Sequence, residues 1–341
     1  MKNSSMKICN ANVHPGEKAT LALPLPVQYS CSPMYMPIKV INGKQAGPCL
    51  LIFAMLEGNE FNGLEIVNQL YDSIAASELS GTLIAIPVLN VYGLTHHPRS
   101  TPGGGSIISS FPGDPNGTYS ERIAHIFTEE ILSKANLCIE LKTGSLNHEI
   151  FPQVYCHFDH SESKRLAKAF QAPVVTEVET TQSELRKTAE HLNIPLIVYE
   201  AGEALRFDPV AIQTGIEGTK NVMQKSGMLK ASDDDSQMKV TPAFSKDEDW
   251  LTSHSSGILH SAISLGEYVK KGTKLGSLSD PFSNESSTVV KSHVDGVIVG
   301  INRSPLIQEG ERVFKIASFI DNKKAEAALE EWDELKPEIE E

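Results

Sequence analysis

The stretch Leu50-Leu-Ile-Phe-Ala-Met-Leu-Glu-Gly-Asn-Glu-Phe-Asn-Gly63 (LLIFAMLEGNEFNG) gives the clearest indication of the fold class. It is a continuous apolar run, typical of a strand buried on both faces, followed by a polar turn and a segment of helical period. The turn carries two carboxylates, Glu57 and Glu60, three residues apart. Acidic side chains at the end of a buried strand cost free energy unless they have a partner, so this turn predicts a functional site or a paired charge.

The same alternation continues on both sides of this stretch. Apolar runs of strand length alternate with segments of helical period up to about residue 228, which predicts an α/β sheet covered on both faces. Residues 231–239 (ASDDDSQMK) read as a polar linker, and the glycine-punctuated β-like runs after them predict a smaller all-β unit. We therefore predict an α/β domain over 1–230, a linker over 231–239, a barrel-sandwich-like β domain over 240–320 and an acidic tail over 321–341, expected to be a solvated helix or a frayed end.

Composition excludes several classes of protein. The 341 residues carry a formal net charge of -13, which argues against a nucleic-acid-binding protein. No apolar run is long enough to cross a membrane, and the N-terminus lacks the apolar segment of a signal peptide, so we expect a cytoplasmic protein without a membrane partner. The five cysteines (Cys9, Cys31, Cys49, Cys138 and Cys156) form no CxxC pair, which argues against a disulfide framework or a zinc ribbon.

Five motifs follow one another along nearly the whole chain: EGNEFNG, FPGDPNGTYSERIAH, ELKTGS, YEAGEALRFD and the C-terminal series V-K-K-G…L-G…D-P-F…D-G-V-I-V-G. In sequence and in order they resemble the succinylglutamate desuccinylase/aspartoacylase family. The resemblance implies a zinc-carboxypeptidase-like fold, a mixed sheet flanked by helices, with the smaller all-β domain after it. It also implies hydrolysis of the amide bond between an acyl group and an amino acid by a zinc-bound water.

The metal-binding motifs of that family are altered in this sequence. Family members carry His-Gly-x-Glu and Asp-Leu-His-Thr-Gly, whereas here Glu57 and Lys142 stand at the two histidine positions and Glu60 keeps the glutamate. A protonated ammonium has no lone pair and repels a divalent ion. We therefore expect a dismantled zinc site, with no cofactor, in which Lys142 neutralises the two carboxylates. The alternative is that Glu57 simply points to solvent.

Two further motifs lose the polar groups that the family uses to hold its substrate. The family's Asp-Leu-Asn-Arg before Phe-Pro-Gly is replaced by Ser106, Ile107, Ile108 and Ser109, and its Asn-Leu-Pro-Gln-Ile-Arg by Ile150-Phe-Pro-Gln-Val-Tyr155. Loss of an arginine fork removes most of the affinity for a carboxylate. We therefore expect an apolar surface at both places and a ligand less anionic than an N-acyl amino acid.

Other residues of the family pattern remain. The resemblance assigns Glu200, in Tyr199-Glu-Ala-Gly202, to proton transfer, and Arg99 and Asn90 to substrate binding. A strand-end acid suits a general base, but without a metal-bound water it has nothing obvious to activate. Glu200 is therefore either catalytic or a vestigial buried acid paired with Lys142 or Arg99.

These observations favour a non-catalytic homologue that binds a small molecule or a partner protein. One alternative is an active amidohydrolase (deacylase) that uses Lys142 as base or nucleophile, or a metal site rebuilt from histidines. The histidines available for this are His96, His97, His148, His157 and His160. Another alternative is a structural subunit, either a homo-oligomer or the partner of an active paralogue.

Overall fold

The computed structural model describes residues 2–27, 33–96, 101–230, 240–282 and 287–336. The predicted linker 231–239 and Arg99 lie outside the described residues. The strands of the first part are β1 (Met6–Ile8), β2 (Ala11–Val13), β3 (Glu17–Pro24), β4 (Tyr35–Asn42), β5 (Gln45–Ala54), β6 (Ser80–Ile86), β7 (Leu137–Gly144), β8 (His148–Cys156), β9 (Val174–Glu177) and β10 (Leu196–Glu203). Its helices are α1 (Phe61–Ser73), α2 (Val91–His96), α3 (Tyr119–Glu130), α4 (Ser161–Phe170), α5 (Glu184–His191) and α6 (Pro209–Lys225).

The C-terminal part is built from short strands and ends in a helix. The strands are β11 (Ala243–Thr252), β12 (Gly257–Ser261), β13 (Tyr268–Val269), β14 (Lys274–Ser279), β15 (Ser287–Lys291), β16 (Gly296–Asn302), β17 (Leu306–Ile307) and β18 (Arg312–Phe319). The helix is α7 (Asn322–Leu335). None of the described helices is long and apolar enough to cross a membrane.

Within the described residues, twelve strands form one mixed sheet in the order β13-β16-β18-β11-β9-β8-β10-β7-β5-β6-β4-β3. Its centre is parallel, because β6, β5, β7 and β10 pair side by side in the same direction. The carboxyl ends of parallel strands meet at one edge of a sheet, so the turn after β5 and the ends of β7 and β10 lie together. The mixed sheet and the all-β C-terminal part confirm the predicted fold class.

Helices cover both faces of the sheet. On one face α1, α4 and α6 contribute Ile66, Phe170 and Ile216 to the core. On the other face α3 and α5 contribute Phe127 and Leu185 to a second core cluster. The central strands are therefore buried on both sides, which explains why β5 reads as an uninterrupted apolar run.

The two parts of the chain share a closed ring of strands. The first half of β8 pairs with β16, and its second half pairs with β9. β9 then pairs with β11, β11 with β18, and β18 with β16. Backbone hydrogen bonds thus join the C-terminal part to the first part. The domain boundaries at 230 and 240 stay a prediction.

Helix α7 packs against the rest of the molecule. Its residues Ala325, Ala328, Leu329 and Trp332 are buried, and the Trp332 ring lies edge-on to Phe151 with centroids 6.3 Å apart. Apolar residues at helical spacing give the acidic segment one buried face. The expectation of a solvated or frayed end therefore does not hold for this helix.

Replacing the Trp332 side chain tests this packing. We expect Trp332→Ala to lower the free energy of unfolding by about 3 kcal/mol, because a buried indole is lost and a cavity remains. Urea denaturation measures the change. Leu335→Ala is the matched control, since Leu335 lies on the same helix and is 44% exposed, and should change stability by less than about 0.5 kcal/mol. Equal urea midpoints of unfolding for Trp332→Ala and the unmodified protein would contradict the packing of Trp332 in the core.

Candidate functional site

The turn between β5 and α1 is fixed by close approaches of the backbone. Met55 has a φ of 55°, an uncommon conformation for a residue other than glycine, and the N–H of Asn90 donates to its carbonyl oxygen at 2.9 Å. A Cβ at Gly58 would lie 2.2 Å from the carbonyl oxygen of Gly93, and one at Gly63 would lie 2.7 Å from a side chain of β5. Only glycine fits at these two positions, so the turn is held rigidly against its neighbours.

Three neighbouring strand ends bring the predicted site residues together. Lys142 on β7 lies in register with Glu200 on β10. The Lys142 ammonium interacts electrostatically with Glu200, with Glu57 and Glu60 of the turn, and with Glu140, two residues earlier on the same face of β7. Glu60 is only 2% exposed and Glu140 is 5% exposed, whereas the other three are half-buried. We call these five residues the lysine cluster.

Burial governs the ionisation of this cluster. It raises the pKa of Glu60 to about 8, against the lowering effect of Lys142, and Glu57 raises it further. Burial also raises the pKa of Glu140. Burial lowers the pKa of Lys142, but the four carboxylates outweigh that effect and raise it above its ordinary value. Lys142 is therefore charged at neutral pH, while Glu60 mostly retains its proton.

The lysine cluster does not fit the zinc ion that the resemblance implies. Zinc is held by lone pairs of imidazole, thiolate or carboxylate groups, usually from three or four protein side chains. The Lys142 ammonium offers no lone pair, and a protonated Glu60 is a poor ligand. Among the described residues no group of three His, Cys, Asp or Glu side chains is arranged to hold a metal ion.

The histidines considered for a rebuilt metal site have other contacts. The ring of His148 packs against an indole of β11 with centroids 5.0 Å apart. The Nδ1 atom of His157 lies 3.2 Å from a threonine hydroxyl, and that of His160 accepts a backbone N–H at the start of α4. His97 and the side chain of His96 lie outside the described residues.

A second polar network, not anticipated from the sequence, reaches the cluster from the C-terminal part. The Tyr155 hydroxyl donates to Glu248 at 3.0 Å and accepts from Gln153 at 2.6 Å and from Lys315 at 3.1 Å. Lys315 also forms an ion pair with Glu248. Burial raises the pKa of Tyr155, and the nearby carboxylates of Glu200 and Glu248 raise it further. The lysine cluster is thus connected to the C-terminal strands.

The sequence contained few signals for these additional residues. Tyr155 lies 93 residues from Glu248 and 160 residues from Lys315, so no local pattern connects them. Glu140 did have a signal, since it is a single acid inside the apolar strand LCIEL. A charged residue in a strand buried on both faces marks a paired or functional group.

Two isoleucines expected to give the cleft an apolar surface are core residues instead. Ile107 is 1% exposed and packs in the same cluster as Phe53, and Ile150 is 4% exposed. Ile150 pairs with Gly202 and Gly300 on the strands beside it. The expectation of an apolar ligand-binding surface is therefore wrong for Ile107, whose side chain fills space in the core. Ile150 is also buried, but it lines a cleft at the start of β8.

The predicted substrate residue Asn90 has structural contacts at both ends of its carboxamide. Its Nδ2 donates to the Leu56 carbonyl at 3.2 Å, and its Oδ1 accepts from the Gly93 N–H at 2.9 Å. Asn90 is 1% exposed and joins the end of β5 to the first turn of α2. Substrate binding by Asn90 stays a prediction, as does the same role for Arg99.

Comparison with known proteins agrees with this architecture. The model of the succinylglutamate desuccinylase/aspartoacylase catalytic domain matches residues 46–226. The chain is 25% identical over 300 residues to N-alpha-acetyl-L-2,4-diaminobutyric acid deacetylase of Halomonas elongata, with 84% of this chain and 86% of that protein covered.

Two solved structures show the same fold. The crystal structure of succinylglutamate desuccinylase/aspartoacylase from Rhodobacter sphaeroides has a TM-score of 0.79 at 19% identity and covers 92% of this chain and 100% of that one. The product-bound ectoine utilization protein EutE (DoeB) from Ruegeria pomeroyi has a TM-score of 0.79 at 22% identity and covers 93% and 99%.

The ionisation of Glu60 predicts how stability depends on pH. Its pKa is raised from 4.5 in the unfolded chain to about 8 in the folded protein, so the folded protein holds a proton that the unfolded chain releases. The resulting stability is fully present below the unfolded pKa and is lost as the pH rises through the folded pKa. In Glu60→Gln this loss should disappear. The slope of the unfolding free energy against pH should then become less steep by up to about 1.4 kcal/mol per pH unit.

Urea denaturation from about pH 5 to about pH 8 measures this difference. The control is Glu78→Gln, which removes an exposed carboxylate from the same half of the chain and should leave the slope unchanged. Parallel curves for Glu60→Gln and the unmodified protein would show that the folded protein does not hold this proton.

Proposed function

Because the chain belongs to the succinylglutamate desuccinylase/aspartoacylase family, we propose that it is a non-hydrolytic member that binds a small molecule without cleaving it. The observation that carries the proposal is the ammonium of Lys142 among four carboxylates, at the strand end where the family motif has a histidine. Metal-assisted hydrolysis needs a water activated by a Lewis acid, and an ammonium cannot supply one.

The lysine cluster offsets part of its negative charge without a divalent ion. Lys142 contributes one positive charge, and the proton held by Glu60 removes one negative charge. Together they offset two units of charge, the same amount that a divalent metal would offset. This partial compensation supports a site that is stable without metal, because it reduces the repulsion among carboxylates that lie close together.

The contacts of Glu200 support the same conclusion. It lies in register with Lys142 on one side and with Gln153 on the other, and it interacts with Tyr155. A general base must reach a water or substrate proton that the chemistry makes available. In this setting Glu200 serves as a charge partner of the cluster rather than as a general base.

The second candidate is an active amidohydrolase that cleaves an N-acyl amino acid or a related amide. It is favoured by the alignment with a deacetylase over 84% of this chain. A mechanism with Lys142 as nucleophile or base requires a neutral amine, however, and the surrounding carboxylates raise the pKa of Lys142. The ionisation of the cluster therefore favours the non-hydrolytic function.

Restoring the family's histidines tests whether the altered donor set alone abolishes zinc binding. We expect the unmodified protein, purified without chelators or a histidine tag, to contain less than about 0.1 equivalent of transition metal. The Glu57→His/Lys142→His double variant should bind about one equivalent of zinc, because Glu60 and the rigid turn remain. Equilibrium dialysis followed by mass spectrometry of the metal gives both values.

Lys142→Met is the matched control, since it removes the repelling charge without adding a donor and should bind no zinc. Hydrolysis of N-acetylated amino acids is assayed on the same preparations. Stoichiometric zinc in the unmodified protein, or turnover at enzymatic rates, would refute the proposed function. A folded double variant that fails to bind zinc would show that the backbone frame has moved.

A further inference from the structure

A large cleft lies apart from the lysine cluster and shares no residue with it. It has a volume of about 780 Å³ and lies between the start of β8, the segment joining β12 to β13, and helix α7. Its apolar lining includes Phe151, Leu265, Tyr268 and Trp332, which belong to or pack against one core cluster. This volume is in the range of sites that enclose small organic ligands.

The rim of this cleft is strongly acidic. One cation, Lys336, faces six acids among its lining residues: Glu149, Asp208, Glu267, Glu326, Glu330 and Asp333. Some of these acids have partners, since Glu149 pairs with Arg303 and Asp333 with Lys336. Asp208 accepts a backbone N–H at the start of α6. The cleft therefore carries a net negative charge that its own residues neutralise only in part.

Glu326 and Glu330 are the acids without such a partner. Neither side chain forms a hydrogen bond or an ion pair with another described residue, and the two lie four residues apart on α7. Like charges at this spacing destabilise a helix unless a counter-charge lies close to them. Across the cleft, burial raises the pKa of Tyr268, and the charges of Asp295 and Glu326 raise it further. The negative potential thus extends to the opposite wall.

The combination of an apolar lining and a negative rim selects the chemistry of the ligand. The Cβ atoms of residues on successive helical turns are about 5–6 Å apart, so carboxylates on such residues can meet ammonium groups separated by a few methylene groups. The methylene segments would lie on the apolar lining, and each ammonium has three N–H groups to donate. An anionic ligand would be repelled by the rim, and a neutral one would leave the carboxylates without a counter-charge.

The geometry points to this cleft as the binding site for a linear polyamine, with its methylene segments on the half-buried Leu265 and Tyr268 and its ammonium groups at Glu326 and Glu330. The assignment rests on the proposed function in one respect: it names a class of ligand for a protein that is proposed to bind a small molecule. It uses none of the residues of the lysine cluster, so the two can fail separately.

Titration calorimetry of the full chain with spermidine at low ionic strength tests the assignment. We expect saturable binding of one molecule per chain and no binding of triethylene glycol, a neutral chain of similar length. Glu326→Gln/Glu330→Gln should weaken spermidine binding about tenfold or more, because two charge-assisted contacts are lost. Glu334→Gln is the matched control on the same helix and should stay within about twofold, since Glu334 does not line this cleft.

Three results would overturn the assignment. One is the absence of saturable spermidine binding, including the case in which only a basic peptide binds. Another is an equal loss of affinity in the double variant and in Glu334→Gln, which would indicate attraction by general surface charge. The third is displacement of spermidine by magnesium ions when the two cations supply the same concentration of positive charge. Spermidine binding by a protein that also hydrolyses N-acyl amino acids would refute the proposed function and leave this assignment standing.

Discussion

One half-buried cation, Lys142, allows the sheet edge to exist in its present form. The strand ends of β5, β7 and β10 bring four carboxylates into electrostatic reach of Lys142, and two of them, Glu60 and Glu140, are almost fully buried. Without a positive charge at their centre, mutual repulsion and burial would together oppose the approach of these strands. In the proposed function the same charge decides the chemistry, because an ammonium has no lone pair to offer a metal.

The parts of the site that follow from local sequence were predictable. An apolar run ending in EGNEFNG and another ending in ELKTGS indicate parallel strands, and the carboxyl ends of parallel strands meet. That rule is enough to bring Glu57, Glu60, Lys142 and Glu200 together. The network of Tyr155, Glu248 and Lys315 depends on pairing between strands that are distant in the chain, for which no local pattern exists. Ile107 was misjudged because an apolar residue in a loop reads the same whether it faces a ligand or the core.

Helix α7 shows how one short segment can serve two purposes. Its alanines, Leu329 and Trp332 cover apolar surface of the C-terminal strands, while Glu326 and Glu330 face the acidic cleft. Its high acid content suggested a solvated tail, because composition alone does not separate the two faces of a helix. The helical period of its few apolar residues was the better guide.

The ring of β8, β9, β11, β18 and β16 has a consequence for how the chain folds and unfolds. The matched catalytic-domain model ends at residue 226, before three of the five ring strands have been synthesised. A fragment ending there would leave edges of β8 and β9 open, with unsatisfied backbone groups able to pair with other chains. Ring closure therefore couples the middle of the polypeptide to its C-terminal strands in one cooperative unit, and the nascent first part depends on those strands for protection against aggregation.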